Sequence, residues 1–235
     1  MKKLFSFLFI AGIFTSCNET IHGDGHVITE SRTISSAEKI KVSGSFDVEI
    51  EQGNSPSLTI EADGNLLPYI ITKNEDGWLR VRTKDDFSIS SSHKIKISII
   101  TDKLENISVS GSNSVVGKNK FTEGDKLSIN ISGNGDVTLD VNTPKVYASI
   151  SGNGNVVLSG ETKDEEIHVS GSGDYKCENL KAENAEVHVS GVGNVKVYAD
   201  NKLDVHVSGS GDVFYKGNPQ ITQSVSGAGS VKKLE

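Results

Sequence analysis

Residues 129–217 read INISGNGDVTLDVNTPKVYASISGNGNVVLSGETKDEEIHVSGSGDYKCENLKAENAEVHVSGVGNVKVYADNKLDVHVSGSGDVFYKG, and this stretch decides the fold. A Ser-Gly motif, most often SGxGxV, recurs along it and beyond. Its copies begin at Ser110, Ser132, Ser151, Ser170, Ser190, Ser208 and Ser226, with spacings of 22, 19, 19, 20, 18 and 18 residues. Before each copy apolar residues take every second place, as in Ile129/Ile131, Ile167/Val169, Val187/Val189 and Val205/Val207. After it the alternation resumes at Val137/Leu139, Val156/Leu158, Tyr175/Cys177, Val195/Val197 and Val213/Tyr215. A period of two places one face of a strand against a core. Each repeat is therefore strand, tight glycine turn, strand and polar link.

Repeats of this length with short strands predict a β-solenoid, each coil stacked on the last at about 4.8 Å. The fold class is all-β: a β-helix-like C-terminal half with coils of 18–22 residues, preceded by an irregular β N-terminal half. Seven coils would span roughly 30 Å. Fourteen of the 24 glycines lie in the repeated motif, counting an eighth, isolated copy at Ser43. Backbone angles that side chains resist are the expected reason for them. Asn and Asp beside the glycines (Asn134, Asp136, Asn153, Asn155, Asp174, Asn194, Asp212) suit the same turns.

Residues 26–106 alternate without repeating. Strands are expected at His26–Ile34, Lys39–Val42, Phe46–Glu51, Ser57–Ala62, Tyr69–Thr72, Trp78–Thr83 and Lys94–Ile100, with Asp76-Gly77 as a hairpin turn and Ser88–His93 as a polar loop. A soft boundary falls near Asp102–Asn106, with the repeat region at 107–235.

Residues 1–16 have Lys2 and Lys3, then an apolar stretch from Leu4 to Phe14, too short to span a bilayer. This is the pattern of a lipoprotein signal cut before Cys17, whose thiol would carry lipid; Phe14 stands where leucine is usual. Residues 17–25 read as a polar spacer. The expected product is exported and lipid-anchored to the cell envelope, at the outer membrane, and faces the periplasm or the outside. With Cys17 acylated, Cys177 has no disulfide partner and falls on the inward phase as a small core residue.

The formal charge of −7 and the scattered basic residues argue against nucleic acid as a partner. No nucleotide loop, zincin, nucleophile-elbow or Cys-x-x-Cys motif is present, and the sequence assigns no catalytic residue and no cofactor. The Gly-Asn-Gly-Asp turns depart from nine-residue calcium repeats, because the acid follows the second glycine directly and Asn155, Asn194 and Ser230 replace it in other copies. Three histidines, His168, His188 and His206, share one outward phase with Ser108, Asn130, Ser149 and Ser224. Such a ladder is either a solvated polar column or a strip able to bind metal or sense pH. Tyr147, Tyr198 and Phe214 fall on outward phases as candidate surface contacts. Trp78 is expected in the core of the first half.

The stretch HVITESRTISSAEKIKVSGSFDVEIEQGNSPSLTIEADGNLLPYIITKNEDGWLRV (residues 26–81), followed by the SGxGxV turns, resembles the auto-transporter adhesin family with a head GIN domain. Residues 41–53 and 62–70 carry the resemblance best, and it extends over roughly 26–233. It implies a β-rich fold with a β-helix-like part, and an exported lipoprotein of the kind common in Bacteroidota. It brings no catalytic residues. The function expected is a non-enzymatic envelope protein whose repetitive polar surface binds an envelope or extracellular glycan or protein. The alternatives are a β-helix enzyme acting on acidic glycans, and an envelope metal or stress sensor.

Overall fold

The computed structural model describes residues 19–234. The repeats stack as parallel layers. On one wall the strands Asn106–Gly111 and Lys126–Ile131, then residues 145–150, 164–169, 184–189, 202–207 and 220–225, pair successively in register. On the other wall Ser114–Phe121 is followed by residues 136–141, 156–160, 175–180, 195–199, 213–216 and 231–233. The inward phase of both walls forms one core, in which Ile129, Ile150, Ile167, Val187, Val205 and Val156 are 0–1% exposed. The ladder hydrogen bonds run between successive turns of the chain, so the polar backbone is satisfied without a second sheet.

The N-terminal half joins the same stack. The motif at Ser43 does not stand alone: Ser43 and Gly44 pair in parallel with Ser110 and Gly111. Lys39–Gly44 pairs on its other side with Trp78–Thr83, and Asp47–Gln52 with Lys96–Thr101. The layer containing 78–101 thus lies outside the layer containing 39–52, and the chain crosses over it to reach Asn106. Counting both, nine layers are stacked, a rise of about 38 Å. The outermost layer is closed by antiparallel strands: Ile70–Glu75 on Trp78–Thr83, through the expected Asp76-Gly77 hairpin, and Ser57–Asp63 on Lys96–Thr101. Val27–Arg32 adds antiparallel to Ser57–Asp63 in turn, so the edge strands at this end are Val27–Arg32 and Ile70–Glu75.

Two segments differ from expectation. Phe87–Ser90, which overlaps the expected loop at Ser88–Ser90, is a strand, and Glu19–His22 of the predicted spacer pairs with it in parallel. The register partners Ile21 and Ile89 both pack partly against the core. Trp78 is half-buried at the start of its strand rather than fully enclosed.

The motif glycines also have a different cause from the one expected. Of the fourteen, only Gly44 and Gly111 have positive φ, at 147° and 89°. The others are required by stacking. A Cβ on Gly152, Gly171, Gly191, Gly209 or Gly227 would come within 3.0 Å of the carbonyl oxygen of the motif glycine one layer below. The second glycines, 154, 173, 193, 211 and 229, meet the same obstacle. Glycine lies on glycine for the length of the repeat.

The turn Asp and Asn residues form a second column. Asp136 Oδ1 accepts the Asn155 backbone N–H at 2.9 Å, Asn155 Oδ1 that of Asp174 at 3.3 Å, Asp174 Oδ1 that of Asn194 at 2.9 Å, Asn194 Oδ1 that of Asp212 at 3.1 Å, and Asp212 Oδ1 that of Ser230 at 2.8 Å. Acid and amide alternate, so no two carboxylates are adjacent. Burial raises the Asp174 carboxyl, but the Asn194 N–H and Lys176 outweigh it and hold the group below its ordinary value. Asn194→Asp would line up three carboxylates at one-layer spacing. Repulsion of about 1 kcal/mol per pair is expected in dilute buffer. Urea unfolding should show this loss, shrinking as sodium chloride is raised.

Candidate functional site

The outward phase of the first wall gathers the polar residues that the repeat copies. Ser149, His168, His188, His206 and Ser224 stand in one register column. The His168 and His188 rings stack with centroids 4.7 Å apart and planes 3° from parallel; His188 and His206 follow at 5.0 Å and 10°. The spacing is that of the layers themselves, so strand pairing sets the ladder. Tyr147 extends it, with its ring 5.6 Å from that of His168.

An acidic column lies two residues upstream. His168 Nε2 is 3.2 Å from Glu166 Oε1, His188 Nε2 2.8 Å from Glu186 Oε1, and His206 Nε2 3.2 Å from Asp204 Oδ1. Hydrogen bonding with His168 holds the Glu166 carboxyl below its ordinary value, with Lys145 contributing from 3.3 Å. On the other side Ser170, Ser190, Ser208 and Ser226 line a groove of about 370 Å³ with the imidazoles. Three parallel strips result: acid, imidazole and hydroxyl. Each imidazole has one nitrogen turned to its own carboxylate, so the ladder offers a row of repeated sites, one per layer. Neutral rings stack without charge cost. Protonated ones 5 Å apart would repel by roughly 1 kcal/mol per pair in water, with the adjacent carboxylates offsetting it.

The three aromatic candidates do not come together. Tyr147 belongs to the histidine wall, under Lys126 Nζ at 5.1 Å from its ring centre. Tyr198 and Phe214 lie on the opposite wall. The Tyr198 hydroxyl donates to Asp200 Oδ1 at 2.9 Å, while Phe214 borders a shallow depression with Lys176, Lys196 and the turn acids Asp174 and Asp212. Cys17 lies outside the described residues. The acidic and serine strips were legible in the same period-two phase as the histidines, because Glu166, Glu186 and Asp204 sit at a constant offset from them.

One interior residue breaks the pattern. Glu165, part of an apparent polar link, is 2% exposed. Its register neighbours are Val146 and Ala185. From the facing wall of the same layer, the Tyr175 hydroxyl donates to Glu165 Oε1 at 2.5 Å, while Oε2 has no partner among the described residues. Burial pushes the Glu165 carboxyl up to about 8, against the opposing effect of the tyrosine bond. Beside them Cys177 is fully buried, its sulfur accepting the Leu158 N–H at 3.1 Å; burial raises its thiol well above the ordinary range.

A family model described as "Putative auto-transporter adhesin, head GIN domain" matches residues 37–219. The chain belongs to this family. Among solved structures, one described as a "putative adhesin" from Bacteroides fragilis is 27% identical, with a TM-score of 0.86, covering 91% of this chain and 100% of its own. A "putative lipid binding protein" from Parabacteroides distasonis is 27% identical at a TM-score of 0.76, covering 92% of this chain and 100% of its own. A further "putative adhesin" from Parabacteroides distasonis, 23% identical with a TM-score of 0.72, covers 92% of this chain and 100% of its own and shares the fold. No curated protein matches the sequence. Within the family's matched span fall His168, His188 and His206 and all nine layers except the last. No helix among the described residues is long and apolar enough to cross a membrane.

Proposed function

We propose that this member of the adhesin family is a non-enzymatic interaction module of the cell envelope, tethered through lipid on Cys17. Its working surface is the strip built on His168, His188 and His206. The observation that carries this reading is the register: similar imidazole–carboxylate rungs repeat at one-layer spacing along one wall. A polymer or surface with repeated polar groups would meet several rungs at once, and weak single contacts would multiply. Envelope or extracellular glycans and proteins are ligands of that kind.

The test is a glycan and matrix-protein array probed with wild-type chain and with His188→Ala, which removes the central rung. The wild type is expected to bind at least one repeating ligand, with the variant about tenfold weaker through lost avidity. Failure of the wild type to bind any array member, or equal binding by the two proteins, would defeat the proposal.

A further inference from the structure

We infer that the capped N-terminal end of the rod seats directly on a lipid surface, through the corner formed by Tyr69, Lys84 and Phe87. This rests on the lipid anchor at Cys17 proposed above, and adds to it an orientation and a contact.

The chain just after the anchor is built into the body. Glu19–His22 pairs in register with Phe87–Ser90, the Glu19 N–H donates to Asp86 O at 3.2 Å, and the Gly23 N–H to Ser90 O at 2.8 Å. The following residues are locked in turn. Asp63, fully buried, accepts the Gly25 N–H at 3.0 Å and the Ser91 hydroxyl. Asn65 accepts the Asp24 N–H at 3.1 Å and donates to His22 O at 2.7 Å. No free spacer therefore separates the rod from its anchor beyond residue 19.

Covalent geometry then limits the distance. Cys17 and Glu19 are two residues apart, a reach of at most about 7 Å. The headgroup layer on each side of a bilayer is itself about 5–7 Å deep. A lipid inserted at Cys17 thus holds the Glu19 end of the strand at the headgroup surface.

The corner where that strand begins has interfacial chemistry. Tyr69 and Phe87 pack with ring centres 4.9 Å apart, and Lys84 Nζ lies 5.2 Å from the Phe87 ring and 6.0 Å from that of Tyr69. Aromatic rings with an overlying lysine stem suit the headgroup level, where the ring bodies leave water and the ammonium remains in it. Asp85 and Asp86 follow the lysine and Glu19 pairs with Phe87, so the contact is apolar and aromatic rather than a basic patch. Val27 and Ile28, 40% and 51% exposed, add apolar surface at the same capped end. Seated this way, the histidine layers stand about 24 to 34 Å from the capped layer, toward the far end of the rod.

The full chain is to be produced in a Gram-negative host, and its N-terminal peptide weighed for acylation of Cys17. It is then reconstituted in phosphatidylcholine–phosphatidylglycerol vesicles. Nitroxide labels are placed separately at Asp85→Cys and Thr222→Cys, since buried Cys177 resists labelling. The label at 85 is expected to favour collisions with membrane-soluble oxygen several-fold over those with an aqueous nickel chelate, and the label at 222 to show the reverse. Equal, water-like accessibility of both labels on acylated protein would overturn the seating while leaving the anchor intact. Unacylated Cys17 would overturn the anchor itself, and the seating with it.

Discussion

Gly154→Ala is expected to cost at least 3–5 kcal/mol, a large part of the roughly 5–15 kcal/mol by which a folded domain is usually stable at 25 °C. The added Cβ would fall inside the Gly135 carbonyl, and the obstacle is backbone, which has no rotamer to yield. Relief would require parting two layers at the corner, where Gly173 in turn rests on the Gly154 carbonyl. Gly77→Ala is the matched control. Gly77 has φ of 76° and nothing within 4 Å of its Cβ, so only the left-handed backbone resists the change, at about 1–2 kcal/mol. Urea unfolding of both variants separates the two causes. Equal losses would show that the stacked corners are not the constraint inferred here.

Removing the buried carboxyl at Glu165 should stabilise the rod in alkali. The carboxyl is raised to about 8 in the fold by burial, against about 4.3 in the unfolded chain. Between those values the folded state holds a proton that the unfolded state has released. Stability contributed by this group is therefore complete below about pH 4.3 and falls as pH rises, by up to about 1.4 kcal/mol per unit, levelling off above about pH 8. Glu165→Gln keeps an acceptor for the Tyr175 hydroxyl and cannot ionise. It should unfold at nearly the wild-type urea concentration at pH 5, and be more stable by a few kcal/mol at pH 9. Wild-type stability that does not fall between pH 5 and pH 9 would contradict the buried, singly bonded carboxyl.

The strand boundaries in the first half were legible because alternation and turn residues are local: Trp78–Thr83 and the Asp76-Gly77 hairpin appear as read. The histidine ladder was legible for the same reason, since constant spacing places equal residues in one column. Glu165 was hidden by Glu166 and the charged residues around it, although its phase with Ile167 and Val169 points inward. Its partner Tyr175 sits across the core, and nothing in local spacing joins the two.

The all-β class, the parallel stacking of the Ser-Gly repeats and the sharing of columns by side chains follow from the order of residues alone, because periods of two and of about twenty residues are properties of a chain read in order. It took the folded chain to place the layer of Ser43 between those of residues 78–101 and 106–121, to set antiparallel strands on one end, and to trace the turn glycines to the backbone beneath them. The first two depend on contacts across dozens of residues and on which strand edges remain unpaired, which leave no periodic mark; the glycines do recur, but their period does not tell a backbone angle from a neighbouring layer as the cause.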